Sequence, residues 1–189
     1  MKKGFTLIEL IVVIAIIAVL AAIIAPNAFK AIEKANRSAT MADYRSVKTA
    51  ALAFYTDTSS WPTNYCHESF LADNTCDAAG DPSAPVVNID MWDGPYLDTW
   101  PLTTRFGGVY VLRNDATINW DGVAGGDQAR YLALATANAK ALSGPVPLAS
   151  AEKIDVALDG TVDGADGQVR YDDTGNNDPV EVDILISTD

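Results

Sequence analysis

The sequence predicts an α+β protein in which one long N-terminal helix packs on a small antiparallel β-sheet. Three observations support this fold class. Residues 4–25 form an almost unbroken apolar run, residues 28–54 place apolar side chains at three- and four-residue steps, and residues 180–186 alternate apolar with polar side chains. We therefore expect a helix that is apolar first and amphipathic afterwards, followed by a head domain whose sheet covers its second half.

The apolar run contains a single charged residue, Glu9, and follows Lys2 and Lys3. As a helix it spans about 30 Å, the thickness of a bilayer's hydrocarbon core. A secretory signal cut after the small residues near Ala25 is one interpretation, and a plain N-terminal anchor is another. Both leave Glu9 unexplained, because a lone carboxylate costs at least a few kcal/mol in hydrocarbon. We expect its partner to come from another molecule.

The segment KKGFTLIELIVVIAIIAVLAAIIAP resembles the class III signal of type IV prepilins and type II secretion pseudopilins. The resemblance implies that residues 1–4 are a leader peptide, which a prepilin peptidase removes between Gly4 and Phe5. It also implies a methylated N-terminal amine on Phe5. Glu9 would pair with that amine in a neighbouring subunit, which makes both charges tolerable and sets the register of a filament.

The helix is predicted to run over residues 5–57, with a membrane and filament-core part at 5–25 and an amphipathic part at 26–57. Pro26 removes a backbone donor, so a kink or local melting is expected there, and the family usually has a proline at this place. We expect the head, residues 58–189, to cover the amphipathic part. The apolar positions are Ala28, Ile32, Ala35, Ala39, Val47, Ala50 and Phe54.

The net charge of −12 is distributed unevenly along the chain. Residues 1–50 carry seven Lys and Arg against three acids, whereas residues 51–189 carry six against twenty-two. An acidic head argues against a nucleic-acid partner. With one histidine and no phosphate-binding loop, zinc motif or nucleophile elbow, the sequence also predicts that the protein is not an enzyme.

Cys66 and Cys76, the only two cysteines, are separated by nine residues. In an exported head this spacing fits a small disulfide loop, which would contribute roughly 2–3 kcal/mol. A metal site needs more ligands than these cysteines and His67 provide. A Cys–His nucleophile is disfavoured because adjacent side chains diverge.

The head is predicted to begin with an irregular region and to continue with strands at 109–112, 131–135 and 180–186. A short helix at 150–158, capped by Ser150, should lie between the last two strands. Such a sheet laid across one long helix is the lollipop plan of the pilin family. Residues 92–97, Trp-Asp-Gly-Pro-Tyr-Leu, are similar to a segment of major pseudopilins. The same residues also read as an apolar turn that packs on the helix.

The glycine-rich stretch 159–167 concentrates carboxylates of the kind that calcium prefers. It is not an EF-hand, because Arg170 stands where the bidentate Glu belongs. Major pseudopilins bind calcium in a similarly placed loop, although Asp-Gly turns with solvated acids explain the pattern equally well. We predict no required cofactor, with calcium as the one candidate. Its ligand pool is Asp159, Asp163, Asp166, Asp172 and Asp173.

The resemblance thus implies a pilin that polymerises into a type IV pilus-class filament. Its partners would be copies of itself, the prepilin peptidase and an inner-membrane assembly platform. It would lie in the bacterial inner membrane before assembly and in an extracellular pilus afterwards. The alternatives are a major pseudopilin in a periplasmic type II secretion filament and a membrane-anchored binding protein that does not polymerise.

Overall fold

A computed structural model describes residues 5–61, 91–101, 103–115, 120, 129–136, 145–171 and 179–188 of the chain. The chain divides into two compact units, Met1–Asn36 and Arg37–Asp189. The predicted α+β class is confirmed. The elements in chain order are α1 (Leu7–Thr58), β1 (Val109–Asp115), β2 (Ala129–Ala135), α2 (Leu148–Leu158), β3 (Val169–Tyr171) and β4 (Val182–Thr188).

Helix α1 contains 52 residues and ends one residue beyond the predicted Asp57. It continues through Pro26 as helix, so the local melting expected at this proline does not occur. The large apolar side chains of α1 that lie in the first unit are exposed, and the last of them is Ile32. The predicted apolar stripe is therefore buried only from Thr40 onward, later than the sequence pattern suggested.

The second part of α1 packs its apolar stripe into the main core of the second unit. The buried positions recur every three or four residues, as an amphipathic helix requires. Tyr44 also donates a hydrogen bond from its hydroxyl to the Leu185 carbonyl of β4, over 2.6 Å. The buried residues of α1 are Thr40, Met41, Tyr44, Val47, Ala50, Ala51, Phe54 and Thr58.

The sheet has the order β1-β2-β4-β3, and every neighbouring pair is antiparallel. β1 and β2 pair in the register Val109↔Ala135 to Asp115↔Ala129. All seven residues of β2 are buried, so this strand is covered on both faces. The inner face of the sheet carries Tyr110, Leu132, Leu134 and Ile184 and belongs to the same core as Phe54 of α1 and Ile154 of α2. A smaller cluster on the outer face contains Trp120, Ala129, Tyr131 and Ala133, with Val111 and Leu185 against it.

Two details of the head differ from the predictions. Helix α2 begins at Leu148, and Ser150 is a buried residue inside it, so the predicted cap was wrong. The Pro147 carbonyl already accepts hydrogen bonds from the Ser150 and Ala151 amides, which starts the helix earlier. Strand β3 was not predicted, because three residues are too few to show an alternating pattern.

Candidate functional site

The start of α1 is held by a reciprocal capping box between Thr6 and Glu9. The Thr6 hydroxyl and backbone amide both donate to Glu9 Oε2, over 2.6 and 2.9 Å. The Glu9 amide in turn donates to the Thr6 hydroxyl oxygen over 3.4 Å. This is the geometry of the T-x-x-E pattern, in which the first residue before the helix and its third residue satisfy each other's amides.

The predicted cleavage point lies immediately before this capping box. Gly4 lies outside the described residues, and Phe5 is 83% exposed. Cleavage between them would leave the new amine one residue from Thr6 and four residues from Glu9. Thr6 was missed by our sequence interpretation, although the T-x-x-E spacing ahead of an apolar run was the signal that could have found it.

The capping box opens onto an apolar helical surface. The most apolar stretch of α1 contains no buried residue. By length and composition alone, α1 is the one helix in the described part of the chain that could cross a membrane. Its exposed apolar side chains point in all directions around the axis, unlike the single stripe farther along the helix.

The segment 92–97 packs against the end of α1. The Tyr96 hydroxyl donates to Asp57 Oδ2 over 2.8 Å and accepts from the Asp93 amide over 3.0 Å. The Tyr96 ring meets Phe54 edge-on at 5.6 Å and Trp92 edge-on at 5.8 Å. The interpretation of this segment as an apolar turn that packs on the helix is confirmed.

The acidic loop after α2 uses its described carboxylates to hold its own backbone. Asp159 Oδ2 accepts hydrogen bonds from the Gln168 and Val169 amides, over 2.7 and 3.1 Å. Asp163 Oδ1 accepts from the Ala165 amide over 3.1 Å. A Cβ at position 167 would lie 2.5 Å from Asp159 Oδ2, and Gly167 has a φ of +84°, so this clamp requires glycine there.

Asp155 of α2 also forms hydrogen bonds that hold this loop. It was not predicted from the sequence. It is 1% exposed, and its Oδ2 accepts from the Asp163 amide over 2.8 Å and from the Tyr171 hydroxyl over 3.2 Å. Burial raises the pKa of the Asp155 carboxyl, and its neighbour Asp159 raises it further. No sequence signal marks Asp155, because an acid in an amphipathic helix is normally solvated.

The structure leaves the calcium prediction open. Among the described residues no group of three or more His, Cys, Asp or Glu side chains could hold a metal ion. Asp166 is exposed, and Asp172 and Asp173 lie outside the described residues. Cys66 and Cys76 lie outside them as well, so the disulfide also stays a prediction.

Comparisons with known proteins agree with this geometry. The model of the prokaryotic N-terminal methylation motif matches residues 1–25, and the family model described as PilW, C-terminal, matches residues 31–124. The chain is also similar to the solved structure of the major type IV pilin PilA1 from Clostridium difficile. That match has 18% identity and a TM-score of 0.45, and it covers 82% of this chain and 97% of that chain. No curated protein matches the chain.

The described part of the chain thus combines an apolar N-terminal helix, which by length and composition could cross a membrane, with an antiparallel sheet. The methylation motif at residues 1–25 and the PilW-type match over residues 31–124 together support a type IV pilin or pseudopilin.

Proposed function

We propose that the chain is a structural, non-enzymatic subunit that polymerises into a type IV pilus-class filament. A prepilin peptidase would cut it between Gly4 and Phe5, and an inner-membrane platform would assemble it with further copies of itself. The subunit would wait in the bacterial inner membrane and function in an extracellular filament.

The uncovered apolar surface of α1 is the observation that carries this proposal. Leu7, Ile16 and Ile23 are 76%, 56% and 64% exposed, and their neighbours on every side of the helix are similarly uncovered. Apolar surface costs about 25 cal/mol per Å² in water, so this segment requires another environment. Lipid supplies that environment before assembly, and the equivalent helices of neighbouring subunits supply it afterwards.

The Glu9 carboxylate keeps one oxygen available for a partner during this change of environment. In the described part of the chain, Thr6 occupies only Oε2 of the carboxylate. Oε1 can therefore accept a bond from the methylated amine of a neighbouring Phe5 while the capping box stays intact. Pairing the two charges would reduce the cost of burying each of them and would favour one axial register.

The test is filament yield from cells that carry Glu9→Ala, Glu9→Gln or the control Ile14→Leu. Gln keeps the shape and one acceptor of Glu but loses its charge, whereas Leu at position 14 preserves apolar volume. Filaments sheared from the cell surface would be quantified by electron microscopy and immunoblotting. We expect the filament yield of both Glu9 variants to fall roughly tenfold or more, because each variant loses the charge pair. The control should assemble normally.

Normal filament yield from Glu9→Ala would contradict the proposal. Together with normal membrane localisation of that variant, it would favour the anchored binding protein that does not polymerise. Loss of the control's filaments would instead show that assembly tolerates no change in this helix, and Glu9 would then have no special role.

The PilW-type match specifically favours a second candidate, a minor pilin-like subunit. A minor subunit would use the same N-terminal helix but would be rare in the filament. Quantitative mass spectrometry of sheared filaments separates the two candidates, since a major pilin dominates the protein mass. Recovery of the processed chain only from periplasmic filaments would indicate the major pseudopilin of a type II secretion system.

We further propose a calcium site whose ligands come from the predicted pool Asp159, Asp163, Asp166, Asp172 and Asp173. Its support is the density of carboxylates, two of which are held in fixed positions by backbone amides. Calcium at one hundred times its Kd should increase the free energy of unfolding by about 2.7 kcal/mol. The melting temperature of the chain should rise accordingly. Magnesium at the same concentration is the control, and equal melting temperatures with calcium and with a chelator would contradict the site.

A further inference from the structure

Asp183 lies in the middle of the outer face of the head sheet. It is on β4, where it pairs with Ala133 of β2 on one side and with Arg170 of β3 on the other. The residues above and below it on this face are Glu181 and Leu185. Its Oδ1 atom is buried, and no described residue forms a hydrogen bond with it.

The charged groups that face Asp183 come from its own strand and from the strands on both sides. Glu181 forms a salt bridge of 3.1 Å with Arg113 of β1, and Tyr131 of β2 lies against the same arginine. Arg170 of β3 donates to the Trp120 carbonyl over 2.6 Å and stacks over the Trp120 ring at 4.7 Å. Both arginines attract Asp183, but each makes its short contact with another group.

Asp183 is half-buried as a residue, but its Oδ1 atom is fully buried, so loss of hydration governs the protonation of its carboxyl. Loss of hydration raises the pKa of its carboxyl to about 7, and the negative charge of Glu181 adds to the shift. The two arginines lower the pKa by less. A metal ion would not compete for this carboxylate, because the two guanidinium groups repel cations. A proton is the ligand that the surroundings favour.

We propose that Asp183 is a proton-binding site that makes the folded head more stable in mildly acidic than in mildly alkaline solution. The folded carboxyl binds its proton near neutral pH, whereas an aspartate in an unfolded chain does so near pH 4. Between these values the folded state holds more protons, so its stability falls as pH rises. Above about pH 7 the loss is complete and the curve becomes flat. Burial also raises the pKa of Asp155 and of Glu181, which act in the same direction, so the contribution of Asp183 is isolated by comparison with a variant that lacks its carboxyl.

The first test compares melting temperatures of the full chain in detergent micelles at pH 5.5 and pH 8.5. The variants are Asp183→Asn, which removes the titration, and Asp98→Asn, which makes the same change at an exposed position. Relative to Asp183→Asn, wild type should lose about 4–8 °C between the two pH values. Asp98→Asn should follow wild type. Parallel curves for wild type and Asp183→Asn would overturn the proposal.

The second test does not depend on whether Asp183→Asn folds. The carboxyl carbon of Asp183 in the isotope-labelled wild-type chain would be assigned through its backbone and followed by NMR from pH 4 to pH 9. A midpoint near 7 supports the proposal. A midpoint below 5 would overturn it, because the carboxylate would then be charged throughout the range that matters.

Discussion

The two parts of helix α1 contain similar apolar residues, but these residues are exposed in the first part and buried in the second. In the first unit Ile8, Ile16 and Ile23 are all more than half exposed, whereas Val47 and Phe54 in the second unit are fully buried. Both parts are regular helix, and neither is rich in glycine. The difference lies in the arrangement of the apolar side chains around the helix axis.

This arrangement decides which surroundings each part can accept. A single apolar stripe needs only one covering surface, and the head sheet provides it. A helix with apolar residues on all sides needs to be surrounded by lipid or by other helices. One helix is therefore covered by the head from Thr40 onward and is uncovered in its first part.

The largest effect is expected from placing a charged residue in each part of α1 in turn. Val47→Asp buries an unpaired carboxylate and should destabilise the head by about 4 kcal/mol or more, close to the whole stability of an ordinary domain. Ile16→Asp should change the free energy of unfolding of the head by less than about 0.5 kcal/mol, but should reduce membrane insertion. Denaturation followed by tryptophan fluorescence and membrane fractionation measure the two effects. A folded Val47→Asp head, or an Ile16→Asp chain with an unfolded head, would contradict the division.

Much of this division could be predicted from the sequence, because both patterns are local. The apolar run, the end of α1 near Asp57 and the strands that became β1, β2 and β4 all follow from short-range periodicity. Where the stripe becomes buried is not local. Ile32 and Val47 belong to one pattern, but only the three-dimensional position of the sheet determines that Val47 is the one covered.

The candidate site was predicted less completely than the fold. Glu9 was found because a charge is conspicuous in an apolar run, but its partner Thr6 was not, since a threonine there is unremarkable without the capping geometry. Asp155 and Asp183 were missed for another reason. Their burial depends on residues distant in sequence, and no local pattern distinguishes them from solvated acids.

A smaller effect is expected where α1 meets the sheet through a hydrogen bond. Tyr44→Phe removes the hydroxyl that donates to the Leu185 carbonyl and accepts from Lys48, and should cost about 1 kcal/mol. Tyr55→Phe is the matched control, because the Tyr55 side chain is 41% exposed. Urea denaturation of both variants measures the difference. Equal midpoints would show that this bond does not hold the second part of α1 on the sheet.

The smallest expected effect concerns the exposed end of α1. Thr6→Ala removes the capping hydroxyl and should weaken the first helical turn by about 0.5–1 kcal/mol, while Thr6→Ser should preserve it. Amide hydrogen exchange of residues 7–10 in micelles should then accelerate roughly two- to fivefold in Thr6→Ala alone. Unchanged exchange would show that the helix start does not depend on the capping box.

Intact-mass analysis of sheared filaments tests most directly whether the uncovered part of α1 enters a filament after processing. We predict that the filament protein begins at Phe5 and is heavier than that chain by one methyl group. A filament protein that still contains Met1 to Gly4, or filaments that lack this chain altogether, would contradict the account.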